Sequence, residues 1–477
     1  MSKQLLLPQA RKLTFAAFPF TGYALCAVGF LFCVMTFYPG FMSPDSIDQW
    51  EQGRAWYFWD YHPPLMSAVW GILDRIIPGP FGMLLLHNAL FWGGAAVFWN
   101  AVRKKSYLLG LGLVLFALMP HVLAFLSTIW KDVGLGVSLF LASGLIYVAD
   151  QRRSRAVLLA SCPLLFYGYA ARLNAAPAVL PLALWSGFIA TEIFLFSERR
   201  PSLRKIMPTL IGLVYFLILS VAVTTTTRIL TQGRTNWPYQ QILLFDLAAL
   251  SKSEGKSLFP AYISENPSFS MEKISNAYDP NSALPLISGI PPLLPYAENP
   301  TDVGELKRSW LAAVLSHRVA YLQHRWEVFR ILMGIKTDDV DQPYLVAGDG
   351  YNPPQFKSPR GVLYQFQKDY FWYFSRTLFF RGFFWSLLAT CMIYFSLRGK
   401  LRGDLKIVFV LSSSGLLFAL TYFFFTPTTD FRYLWWTVLS ATVSLLFFLQ
   451  YVFDHLRRSS AGGSKVETAK SHESSTV

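Results

Sequence analysis

The sequence predicts an all-α, polytopic membrane protein, and three observations carry that prediction. Only 15% of the 477 residues are charged while 53% are hydrophobic, and soluble domains usually carry about a quarter charged. Runs such as YALCAVGFLFCVMTFY and IVFVLSSSGLLFALTYFFF are almost free of charge, close to the ~20 residues a helix needs to cross a hydrocarbon core of roughly 30 Å. The apolar stretches are continuous and do not alternate. That argues against a closed barrel and leaves helices as the means of satisfying the backbone in lipid.

Ten spans follow in order, near 14–37, 81–102, 107–126, 133–149, 156–172, 177–197, 206–228, 377–397, 407–426 and 434–453. Arg11 and Lys12 precede the first, and no small-residue cleavage pattern follows it, so it reads as an uncleaved signal anchor. RKKS, QRRSR, SERRPSLRK, RGKLRG and HLRR follow the second, fourth, sixth, eighth and tenth spans. The connections on the other side carry almost no excess Lys or Arg. By the positive-inside rule the basic turns and both termini are cytoplasmic. The net charge of +14 is then a matter of topology and anionic headgroups, and nucleic acid is not expected as a partner. Cys26, Cys33, Cys162 and Cys391 all fall inside spans and read as small apolar packing residues.

Residues 1–228 form the first transmembrane module, with a first loop at 38–80, and 377–456 hold the last three spans. The tail 457–477 lacks apolar periodicity and is expected to be disordered. Region 229–376 lies outside the cytoplasm on this topology. It mixes turn-rich stretches with one helix from Thr301 to about Leu332, in which Leu306, Trp310, Val314, Val319, Leu322, Trp326 and Phe329 recur at helical spacing. Thr301 or Asp302 caps its start, with Glu305 in the first turn, and His317, His324 and Arg325 read as a solvated face. The expectation is a small, mainly helical domain or a lid on the bundle.

The polar residues are the informative ones. Asp45, Asp48, Asp60 and His62 lie in the first loop. Lys131 and Asp132 lie between the third and fourth spans, Arg172 and Asn174 between the fifth and sixth, and Asp430, Arg432 and Tyr433 between the ninth and tenth. All fall on the non-cytoplasmic side, in turns near membrane depth, where an unpaired charge costs about 2.5–3.5 kcal/mol on insertion scales. Acids and bases are balanced, which points to one mixed-charge pocket. Within MSPDSIDQWEQGRAWYFWDYHPPL, Ser43 reads as an N-cap and Pro44 as the first helical residue. Asp45 and Asp48 then share a helix face, the exposed N–H groups keep the Asp45 carboxylate ionised, and HPPL ends the segment. Trp50, Trp56, Tyr57, Phe58, Trp59 and Tyr61 suit an interfacial helix.

An acid in the first outside loop, in SPDS, followed by an amphipathic segment ending in HPPL at His62 to Leu65, resembles the GT-C superfamily of integral-membrane glycosyltransferases. His62 stands where that family's KPPL-like segment has Lys, and the acids Asp45 and Asp48 are three apart, not an adjacent pair. IWKD, RLN and DFRY look like elements of bacterial GT-C-like proteins of envelope polysaccharide and lipopolysaccharide pathways. The resemblance covers about the first 230 residues and the last spans.

It implies a bacterial inner-membrane enzyme that transfers a sugar, with inversion, from a polyprenyl-phosphate donor to an envelope glycan or glycolipid at the outer face. A carboxylate must take the proton of the attacking hydroxyl and cations must meet the departing phosphate. Asp45 is then the general base, with Asp48 orienting it or helping to hold a cation. Lys131, Arg172 and Arg432 hold the phosphate, and Asn174, Tyr433, Asp60 and His62 complete the substrate contacts. No cofactor is called for, although a divalent metal stays open. Two other classes compete: a flippase for lipid-linked sugars, and an O-antigen polymerase or ligase. Transporters favour broken helices near mid-bilayer and internal repeats, whereas these charges cluster at one face.

Overall fold

A computed structural model describes residues 20–194, 203–335, 350–359 and 361–473, with the side chains of 203–205 and 458–473 outside the description. The expected first span therefore begins outside the described residues. Among them the chain is helical, with isolated β-bridges and no β-strand.

The order is α1 (Thr21–Phe37), α2 (Pro44–Ala55), α3 (Pro64–Asp74), α4 (Phe81–Val102), α5 (Tyr107–Leu115), α6 (Pro120–Leu123), α7 (Lys131–Arg152), α8 (Arg155–Ala170), α9 (Ala176–Phe194) and α10 (Leu203–Thr231). A capping unit follows: α11 (Gln240–Glu254), α12 (Ala261–Ser264), α13 (Met271–Ala277), α14 (Leu284–Ile287), α15 (Pro300–Ser316) and α16 (Arg318–Leu332). Then come α17 (Val362–Ser375), α18 (Gly382–Arg398), α19 (Leu405–Phe425) and α20 (Trp435–Glu473).

Six described helices are long and apolar enough to cross a membrane, and seven if the pair Tyr107–Leu118 and Pro120–Ser127, bent by 58°, counts as one. The chain is therefore a multi-pass membrane protein. Pro120 accounts for the bend, because it cannot donate to the preceding turn. The helices Thr21–Phe37, Arg155–Ala170 and Gly382–Arg398 are apolar but shorter.

The described basic turns gather at one end of the bundle. Lys105 Nζ lies 2.5 Å from Asp404 Oδ2, Ser106 Oγ donates to Gln450 Oε1 at 2.6 Å, and Arg153 pairs with Glu192. At the opposite end the first loop is stitched to the start of α7. Phe41 N donates to Ser127 O at 3.0 Å and Ile129 N to Phe41 O at 2.9 Å. Gly53 and Gly71 let α2 and α3 touch backbone to backbone: a Cβ on Gly71 would stand 2.2 Å from Gly53 O.

Two expectations need correction. The helix expected from Thr301 to Leu332 is two helices broken at His317 (φ −121, ψ 47), and its cap is Asn299, whose side chain accepts from Asp302 N. Two of the three side chains read as a solvated face are in fact buried: Arg325 and His324 flank Asp246, at 2.7 and 3.1 Å. Helical spacing cannot tell which face a neighbouring element will cover. The helix of the tenth span runs to Glu473.

The capping unit rests on the bundle. Arg325 donates from a guanidinium nitrogen to Thr426 O at 2.9 Å, and Ala283 N donates to Pro427 O at 2.8 Å. Asn352 pins the first loop from above, donating to Gly40 O at 2.8 Å and accepting from Met42 N at 2.8 Å.

Candidate active site

The α2 helix starts as its sequence dictates. Ser43 is the N-cap in a reciprocal capping box with Ser46, Pro44 is the first helical residue, and Asp45 lies in the first turn. Ser43 Oγ also accepts from Trp130 Nε1 at 2.9 Å, and Ser46 Oγ donates to Ile129 O at 2.6 Å. One short hydroxyl-rich turn thus sets Asp45 against the start of α7.

Below the capping unit lies a cavity of about 630 Å³, walled by Asp45, His62, Lys131, Arg172, Asn174, Asp430, Arg432 and Tyr433 among others. Asp45 Oδ2 lies 3.1 Å from an Arg432 guanidinium nitrogen and 3.7 Å from Lys131 Nζ. Arg432 also holds Asp430 at 3.1 Å and stacks over Trp130 at 4.7 Å. Arg172 pairs with buried Asp132, donates from Nε to Asn174 Oδ1 at 3.3 Å, and lies over the Tyr433 ring at 4.7 Å. Tyr433 stacks on Tyr422 at 5.4 Å. Loops more than 380 residues apart therefore supply one mixed-charge wall.

Two expected members lie elsewhere. Asp60 lines an adjoining cavity and accepts from Thr235 Oγ1 and, at 2.5 Å, from Asn236 N. Asp48 does not line the cavity: it accepts from Gln52 Nε2 at 2.6 Å and lies 3.7 Å from His62 Nε2. Three helical residues turn a side chain by about 300°, which is enough to put these two carboxylates on adjacent faces. Of the six aromatics of the first loop, only Tyr61 lines the cavity. Phe58 and Trp50 are buried in the core, while Trp56 and Tyr57 are exposed.

Several cavity residues escaped the sequence reading. Tyr422 and Thr421 sit in the apolar run LTYFFF, where a tyrosine has no signal of its own. Tyr239, Gln241 and Leu284 come from the capping unit. Among the described residues no group of three or more His, Cys, Asp or Glu could hold a metal.

Burial pushes the Asp45 carboxyl up, but Lys131 and Arg432 outweigh it and hold the group well below the usual carboxylate range. Asp430 goes the other way, raised by burial against the pull of Arg432. His62 is lowered to about 3, first by burial and then by Lys131, so the ring is neutral. Its Nδ1 accepts from Lys131 Nζ at 2.7 Å, which leaves the ring proton on Nε2, facing Asp48.

A pH dependence of stability follows. An unfolded histidine titrates near ~6.5, so from there down to about 3 the unfolded chain binds a proton that His62 in the fold does not. This stability is complete above ~6.5 and is lost as pH falls through that window. Thermal unfolding in detergent is expected to show a shallower loss between those pH values for His62→Gln than for the wild type.

No family model matches this chain, and no curated protein or solved structure does either.

Proposed function

We propose that the protein transfers a sugar from a polyprenyl-phosphate donor to an envelope glycan or glycolipid, at the outer face of a bacterial inner membrane. The observation that carries the reading is one carboxylate, Asp45, facing two cations, Lys131 and Arg432, in a cavity at the membrane end opposite the basic turns. In this reading the chain crosses the membrane ten times, both termini are cytoplasmic, and 229–376 lies outside. The three shorter apolar helices and the bent pair complete the count.

The step is a single displacement. The acceptor oxygen bonds to the anomeric carbon as the bond from that carbon to the phosphate oxygen breaks, and the electron pair leaves on the phosphate. The acceptor's proton passes to Asp45, and Lys131 and Arg432 meet the charge growing on the phosphate. Donor binding also prepares the base. A phosphate that takes up these two cations relaxes their hold on Asp45, and its own charge lifts the carboxyl from its low resting value toward proton affinity. Neutral His62 keeps Lys131 aimed into the cavity.

Mass spectrometry of envelope glycolipids with and without the gene tests the function. The expected result is loss of one sugar from a glycolipid, and an unchanged profile would reject the transferase. Cysteine-accessibility labelling at 45, 131, 174 and 430 is expected to report a single, outer side. Any one of them labelled from the cytoplasm breaks the topology.

A further inference from the structure

A second cavity, of about 530 Å³, adjoins the first and shares Pro63, Arg172 and Leu173 with it. Its long wall is the C-terminal part of α10. Leu213, Leu217, Ser220, Thr224, Thr227 and Thr231 recur at alternating spacings of four and three, so they share one face of the helix. The lower part of that face is apolar and open, with Leu213 46% and Leu217 61% exposed. Only a small share of α10 is buried within the protein. From Ser220 onward the face changes to hydroxyls, and Arg228 and Arg234 join it in the cavity.

The charge balance differs from that of the first cavity. Arg172 is paired with Asp132, and Asp60 is occupied by Thr235 and the Asn236 N–H. Among the described residues no carboxylate pairs with Arg228 or Arg234. Arg234 reaches Gln232 Oε1 at 3.1 Å and Phe58 O at 3.4 Å and packs 3.9 Å from the Tyr57 ring centre. Its Nε is buried with no acceptor. Arg228 and Arg234 outnumber the one carboxylate of the lining, Asp60, and with a row of hydroxyls beside them form a site for phosphate oxygens. The exposed apolar stripe leading to them suits a hydrocarbon chain.

We propose that this cavity binds the phosphate headgroup of a membrane lipid whose chain lies along the Leu213–Leu217 stripe of α10. The site adjoins the donor cavity, but its own cations, Arg228 and Arg234, line only this one, and it does not depend on the transferase reading.

Titration of the purified full chain in detergent, followed by native mass spectrometry, tests it. The probes are dihexanoyl phosphatidic acid, dihexanoyl phosphatidylcholine and inorganic phosphate. Phosphatidic acid is expected to bind, and Arg228→Gln with Arg234→Gln to weaken it about tenfold or more, the usual scale for hydrogen bonds to charged groups. Arg228→Lys is expected to keep most of the binding, which separates loss of charge from loss of fold. Unweakened binding in the double variant overturns the site. Equal binding of phosphatidylcholine overturns the charge argument, and inorganic phosphate binding as tightly as the lipid reassigns the cavity to a free anion. Asp45→Asn is expected to leave lipid binding intact, so failure of the transferase reading is visible separately.

Discussion

Asp45→Asn is expected to lower sugar transfer by about 10²–10⁴-fold, the range for losing a positioned general base, while the chain still folds and inserts. The asparagine keeps the size of the side chain and its place in the first turn of α2, where Ser43 and Ser46 hold the backbone. It cannot accept the proton. It also leaves Arg432 with Asp430 as its remaining carboxylate partner at 3.1 Å, so a modest change in donor affinity is expected alongside the loss of turnover. The informative comparison is Asp430→Asn. Burial holds Asp430 above its ordinary value while cations hold Asp45 below it, and the more basic carboxylate is the natural rival for the role. Single-turnover assays with saturating donor decide between them. If Asp430→Asn abolishes transfer and Asp45→Asn retains it, the base moves to Asp430.

Arg172→Ala is expected to destabilise the fold by about 3–5 kcal/mol, because it strands a buried carboxylate. Asp132 is 3% exposed, Arg172 is its ion-pair partner, and its second oxygen, Oδ2, already lacks a hydrogen bond. The sequence alone casts Arg172 as a phosphate ligand, and the structure gives it a structural duty first. The same guanidinium braces Asn174, which in turn donates to Thr421 Oγ1 at 3.2 Å, so the loop between α8 and α9 is anchored to α19. Thermal unfolding in detergent is expected to show a large drop for Arg172→Ala and a smaller one for Arg172→Gln with Asp132→Asn, which leaves no buried charge. A single variant that melts like the wild type and loses only donor affinity would return Arg172 to the phosphate-binding role.

These two side chains show how the site is divided. Lys131, Arg432, Asp45 and Asp430 form a group whose formal charges cancel but stay open to the cavity. Arg172 and Asp132 form a second pair, in which Arg172 lines the wall and Asp132 is buried behind it. Substitutions in the first group are expected to act on chemistry, and those in the second on stability.

The sequence by itself determined the membrane class, the positions of the apolar helices and the start of α2. Each of these rests on local physics: continuous apolar runs long enough for lipid, and a hydroxyl followed by proline that caps a helix. It also placed Asp45, Lys131, Arg172, Asn174, Asp430, Arg432 and Tyr433 at one end of the bundle, since basic turns mark the other. Only the tertiary structure decided which of these groups touch. Asp48 and Asp60 share the first loop with Asp45 yet face other partners, because helix rotation and the 232–236 turn redirect them. Arg325 and His324 look like surface residues in their own helix and become buried once α11 brings Asp246 against them. Tyr422, the capping-unit wall and the threonine face of α10 carry no local mark, because their role depends on neighbours far away in the chain. Pairing between distant loops is set by packing, and side-chain spacing along one segment holds no record of it.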